Sequence, residues 1–246
     1  MSTPTDKSYV QLARDSFDAS WSELYRQMDG QLAAGDATYT HYGAAIEELS
    51  GSFGRPIDVL DAGCGTGRYF HRLRGVNRLV GIDVSAHMLE QARNPVRAEE
   101  VQVRSVDLKC GELSALGLPE ASFDLVYSIG VYGEYAPADE ALMREFRRVL
   151  RPGGVLFVTA VETTSRVSEP ENAPPSLWLR LVRKVFPHLP KPLRRLLNRR
   201  LSPCYTSRTE LEQALQRAGF SEIDIRPYVH TQGWRGTHWD CTARVS

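Results

Sequence analysis

The chain has 246 residues, 42% of them hydrophobic, with 30 basic and 30 acidic side chains; this allows one large domain with a sizeable core and excludes a disordered chain. Neutral overall charge gives no reason to expect nucleic acid as a partner. Cys64, Cys110, Cys204 and Cys241 lie far apart and read as reduced thiols rather than zinc ligands or a disulfide framework; without a signal-like N-terminus or an apolar run of ~20 residues, a soluble cytoplasmic protein with no metal is expected.

In chain order, residues 8 to 50 read as helical, and Phe17, Trp21, Leu24, Tyr25, Tyr39, Tyr42 and Ile46 supply enough apolar surface to dock on a sheet. Residues 1–50 are therefore expected to form a helical cap over the site. Short β-like runs then alternate with helical stretches, the pattern of a doubly wound parallel α/β sheet. The strand candidates are Ile57–Asp61, Arg78–Asp83, Val101–Ser105, Phe123–Ser128, Val155–Val161, Phe220–Pro227 and Trp239–Val245. Between them, a helix from about Ala138 to Leu150 stops at Pro152-Gly153-Gly154, and another opens at Ser207 with the capping-box partner Glu210 and ends at Gly219.

The segment VLDAGCGTGR, Val59 to Arg68, continues from the first strand candidate. Glycines at a strand-to-helix turn let backbone pass close to a ligand. A dinucleotide fingerprint would need glycine where Arg68 stands; the third glycine is Gly67. Asp61 directly before the loop favours a cationic ligand end over a pyrophosphate. Twenty residues after Gly63, Asp83 closes the second strand, where a carboxylate can accept both ribose hydroxyls. The expected ligand is a nucleoside with a positive charge and no diphosphate.

DAGCGTG, GIDVSAHMLEQAR, FDLVYS and REFRRVLRPGGVLFVTAVE stand in the order and spacing of class I S-adenosylmethionine-dependent methyltransferases. The chain resembles the small-molecule, type 11-like members from about Asp58 to Glu162, more weakly in LEQALQRAGFSEIDI. The resemblance implies one Rossmann-like domain over 1–246, with a seven-stranded sheet whose last strand is antiparallel, and S-adenosylmethionine as cofactor. By position it implies that Asp61, Gly63, Gly65 and Gly67 line the methionine portion. Asp83 would hold the ribose, Ile82 and Met88 sandwich adenine, Asp107 with Leu108 meet the adenine edge, and Ser128 lie near the sulfonium. Each has a plainer competing role: a ligand-free turn for the glycines, a helix cap for Asp83, core packing for Met88 and surface solvation for Asp107. Cys64 is read as a small packing residue.

A sulfonium methyl is already activated, so the main task is alignment of the acceptor and exclusion of water. For an acceptor that must lose a proton, Glu134 is the first candidate base, with a structural or orienting role as its equal, and Tyr132 and Tyr135 flank it. His41, His230 and His238 are reserve bases. Residues 164–206 read as an inserted lid, basic and amphipathic: Arg180, Arg183, Lys184, Arg194 and Arg195 alternate with Leu177, Trp178, Leu181, Phe186 and Leu201, and prolines 187, 190 and 192 divide it into two short helices. It could pack on the domain, recognise an anionic acceptor, or rest through 177–201 on an anionic membrane. The expected function is methyl transfer to an O, N or C atom of a small-molecule metabolite, hydrophobic or anionic. The alternatives are a membrane-associated lipid or isoprenoid acceptor, and a non-catalytic cofactor-binding module.

Overall fold

The computed structural model describes residues 7–31, 36–132, 136–162, 206–230 and 236–246. Glu134, Tyr135 and the 163–205 stretch of the basic insertion lie outside the described residues, as does the 231–235 turn.

Three N-terminal helices, α1 (Lys7–Ser16), α2 (Ala19–Gln31) and α3 (Ala37–Gly51), precede strand β1 (Ile57–Ala62). Then come β2 (Val76–Asp83), α4 (Ala86–Ala92), β3 (Ser105–Cys110), β4 (Phe123–Tyr132), α5 (Glu140–Val149), β5 (Leu150–Val161), α6 (Arg208–Ala218), β6 (Phe220–His230) and β7 (Gly236–Val245). The strands form one sheet in the order β3-β2-β1-β4-β5-β7-β6. β1 to β5 pair in parallel, whereas β7 is antiparallel to β5 and β6. This is the Rossmann-like doubly wound sheet expected from the sequence.

Alternation along the strands divides the core in two. Leu60, Val80, Val126, Leu156 and Cys241 face α5 and α6, whose Leu142, Phe146, Leu211 and Leu215 cover them. Val59, Leu79, Leu125, Tyr127 and Phe157 face the other way, onto Tyr39, Tyr42 and Ile46 of α3. The link between β1 and β2 contains a three-residue 3-10 turn, Phe70–Arg72, and α3 packs against it where Gly43 leaves room for the Arg72 side chain. The N-terminal segment therefore supplies part of one helical layer of the sandwich.

Two of the expected element boundaries are corrected. The third strand is Ser105–Cys110 rather than Val101–Ser105. Both stretches alternate apolar and polar residues, and the edge strand that forms is mostly exposed, so periodicity alone had no buried face to fix its start. Pro152-Gly153-Gly154, read as a stop between helix and strand, lies inside β5, which begins directly after α5. The capping box of α6 is present, with Ser207 and Glu210 each accepting from the other's backbone, and Gly219 takes the left-handed cap at φ 88°.

At the opposite end of the strands from the glycine loop, Asp124 joins β1, β4 and β5. It accepts from Arg55 at 2.7 Å, from Arg151 at 2.6 Å and from the Asp58 amide at 2.8 Å. Burial would raise its pKa, but these donors outweigh that and hold it below the ordinary carboxylate value.

Candidate functional site

The glycine loop leaves β1 with Gly63, Gly65 and Gly67 all at positive φ. At Gly63 the glycine is required twice over: φ is 86°, and a Cβ would lie 2.3 Å from Val131 Cγ2. Val131 reaches this position because the pairing of β4 with β5 shifts register between Ser128 and Tyr132; within that stretch Gly130 sits at φ 73° and donates its amide to Thr159 Oγ1 at 2.9 Å. Above Gly65 a Cβ would meet nothing within 4 Å, so the crest of the loop is open. The Gly63 and Cys64 amides are anchored on the Ile82 carbonyl at 2.7 and 3.0 Å.

Two carboxylates bracket this loop. Asp83 takes the Gly65 amide on Oδ2 and the Ser85 amide on Oδ1, both at 2.9 Å. The cap of α4 is Ser85, whose side chain accepts from Met88; Asp83 ties the two loops together and keeps further lone pairs for other donors. Burial raises its pKa and the amides of Ser85, Gly65 and Val84 pull it back. Asp61, 4% exposed, has no cationic partner among the described residues. Burial pushes its pKa up to about 8, and the negative charge of Asp83 adds to the rise. The Tyr127 hydroxyl, across the β1–β4 pair, opposes that rise without being aligned for a regular hydrogen bond. A buried carboxyl lacking a counter-ion beside an open glycine loop fits the ammonium and sulfonium of S-adenosylmethionine, and would not suit a pyrophosphate.

The remaining predicted residues are distributed unevenly. Met88 is 2% exposed on α4. Ile82 is 1% exposed in the core with Leu60, Ala62 and Val80, which leaves the partly exposed Val84, just past Asp83, as the apolar side chain at that strand end. Asp107 pairs in register with Val80, three residues short of Asp83, and its carboxylate is 3.2 Å from Lys109 on the exposed sheet edge. At ~3.3 Å per residue it lies about 10 Å below the end of the strand. Leu108 packs at Gly81 beside Cys64. The segment level with Asp83 is Cys110-Gly111, where the Gly111 amide donates to the Asp83 carbonyl at 3.0 Å; the misplaced strand start concealed it. Ser128, fully buried, donates to the Ala62 carbonyl at 2.5 Å and lies 3.2 Å from the Tyr132 hydroxyl, a clamp between β1 and β4. Tyr132 is 2% exposed and packs on Phe146.

The three histidines, singled out separately in the sequence, converge. His41 Nε2 is 2.6 Å from Asp240 Oδ2, Tyr42 donates to Asp240 Oδ1 at 3.2 Å and lies 3.1 Å from His238 Nδ1. His238 in turn is 2.6 Å from His230 Nε2, and His230 Nδ1 is 3.0 Å from Thr38 Oγ1. The His41 ring stacks on Tyr228 with centroids 3.9 Å apart. Burial and the neighbouring His41 lower the pKa of His230, and the chain of contacts links α3 to β6 and β7. His238 lies level with Val161, the last residue of β5, at the end of the parallel strands from which the glycine loop also leaves.

Residues 60–158 match the model of the methyltransferase domain. Malonyl-[acyl-carrier protein] O-methyltransferase of Erwinia pyrifoliae is 39% identical over 111 residues, covering 44% of this chain and 39% of that protein. Methyltransferase GfsG of Streptomyces halstedii is 32% identical over 171 residues, covering 60% of this chain and 59% of that one. This chain thus spans about two fifths to three fifths of the length of these relatives. Among solved structures, magnesium protoporphyrin IX methyltransferase from Synechocystis with bound S-adenosylhomocysteine superposes with TM-score 0.63 at 18% identity, over 96% of this chain and 99% of that one. The seven-stranded sheet shares the fold of that methyltransferase. Over residues 60–158 the chain is similar to methyltransferase domains, and over 111 residues to the Erwinia O-methyltransferase.

Proposed function

We propose that the protein transfers the methyl group of S-adenosylmethionine to an O, N or C atom of a small-molecule acceptor. The observation that carries this reading is Asp61: a buried carboxyl with no counter-ion among the described residues stands beside the open loop while Asp83 bridges Gly65 and Ser85. Asp61 faces the ammonium and sulfonium end, Asp83 the ribose, and Val84 with Met88 and the Gly111 backbone the adenine. Gly63, Gly65 and Gly67 let the backbone approach the methionine portion. The cofactor supplies an activated methyl, so the protein's part is to hold the acceptor in line and keep water out.

For an acceptor that must lose a proton, the arrangement favours His41 as base. Asp240 accepts the Nε2 proton and fixes the tautomer that leaves Nδ1 as an acceptor, the orienting role of a carboxylate behind a catalytic imidazole. His230 and His238 brace the same network through Tyr42.

The test is to incubate purified protein with methyl-labelled cofactor and fractionated cell extract. Label in a small-molecule fraction is expected, and its partition between chloroform and water separates a lipid acceptor from a polar one. Calorimetric uptake of a nicotinamide or flavin coenzyme in place of S-adenosylhomocysteine would overturn the assignment.

A further inference from the structure

Asp29, near the end of α2, is 3% exposed, and both of its carboxylate oxygens are engaged by the glycine loop. Oδ2 accepts the Thr66 hydroxyl and Oδ1 accepts Arg68 Nε–H at 2.5 Å; the two donors flank Gly67. The Arg68 guanidinium lies over the Tyr25 ring, 5.7 Å from its centroid. The same N-terminal segment grips the second loop of the seat: the Phe17 carbonyl accepts Ser85 Oγ–H at 2.6 Å, and Arg26 donates to the Asn94 carbonyl at 2.6 Å beyond α4. Helix α2 and the α1–α2 link therefore bridge the two chain segments that Asp83 also joins.

We propose that Asp29 is a positioning residue for the cofactor loop, so that the α1–α2 cap and the cofactor bind as one coupled unit. This rests on the reading of Gly63–Gly67 and Asp83 as the cofactor seat. A loop with glycine at every second position has much conformational freedom to lose. A buried carboxylate holding the side chains on both sides of Gly67 removes that freedom before the ligand arrives, which raises affinity by preorganisation. Coupling is reciprocal, so a ligand that needs the ordered loop also stabilises the cap that orders it.

The experiment measures S-adenosylhomocysteine affinity by calorimetry for the wild type, Asp29→Asn and Arg68→Lys, with hydrogen exchange of residues 19–31 with and without that ligand. Asp29→Asn is expected to bind at least ten-fold more weakly and Arg68→Lys several-fold more weakly. The ligand should slow exchange in α2 of the wild type and fail to do so in Asp29→Asn. A variant that melts earlier yet keeps wild-type affinity, or an α2 whose exchange ignores the ligand, overturns the inference alone. Should Asp29→Asn not fold, Arg68→Lys decides the matter, since it keeps a cation beside Asp29 and loses only the guanidinium geometry. A wild type that takes up none of the ligand overturns the cofactor reading and this inference with it.

Discussion

Gly63 and Val131 meet so closely that no side chain can stand at position 63: a Cβ there would be 2.3 Å from Val131 Cγ2, on a backbone already at φ 86°. The contact exists because the register of β4 shifts after Ser128 and brings Val131 over the loop that leaves β1. Gly63→Ala is expected to destabilise the protein by about 1–3 kcal/mol through overlap and left-handed strain together. Val131→Ala in the same chain should recover the overlap and not the strain. Urea denaturation of the single and double variants measures both parts; full recovery in the double variant would show that the backbone conformation costs nothing.

Asp61 gives the free protein a pH dependence of definite sign. Its folded pKa of about 8 stands above the ordinary value of 3.8, so the folded state keeps a proton that the unfolded chain releases. The stability from this group is complete below about pH 4 and is lost as pH rises toward 8. Asp61→Asn should flatten that fall in a series of unfolding curves. Affinity for the cationic cofactor should move the other way, strengthening as pH rises toward 8 because the ionised carboxylate is the form that pairs with it. Parallel pH profiles for the wild type and Asp61→Asn would remove Asp61 from both roles.

Asp124 titrates with the opposite consequence. Its folded pKa lies below 3.8, so its contribution is present above the unfolded value and disappears as pH falls through the folded one. Asp124→Ala should cost about 1–3 kcal/mol at neutral pH, the scale for a buried charged hydrogen-bonding group, and should blunt acid unfolding. Chemical denaturation at pH 7 and below pH 4 measures the two effects.

Removing the Asp83 side chain frees the Gly65 and Ser85 amides as well as any ribose contact. Asp83→Ala is expected to weaken S-adenosylhomocysteine binding by about 1–3 kcal/mol, read by calorimetry. Unchanged affinity would confine Asp83 to the loop structure it supports.

His41→Ala and Asp240→Asn should both slow methyl transfer to a proton-bearing acceptor by about 10²–10⁴-fold while cofactor affinity stays near that of the wild type. The assay is label transfer to the acceptor fraction, run beside calorimetry. Equal turnover in all three proteins would leave the network a structural link between α3 and the β6–β7 pair.

The order of elements, the glycine loop, Asp61 just before it and the caps of α6 are local in origin, because each depends on side-chain period, on backbone freedom or on residues a few positions apart. Sequence alone settled those. Long-range packing decided the rest. Asp107 and the true end of β3 were hidden because an exposed edge strand carries no buried face to mark its register. Ile82 and Ser128 went to the interior because the parallel pairing of β1 with its neighbours determines which side chains are covered. Thr38, His41 and Tyr42 lie about 200 residues from the partners they meet on β6 and β7, and Asp29 reaches the glycine loop from a separate helix. No local pattern encodes those meetings; they exist once α2 and α3 have docked, because burial of their apolar faces brings the polar groups together.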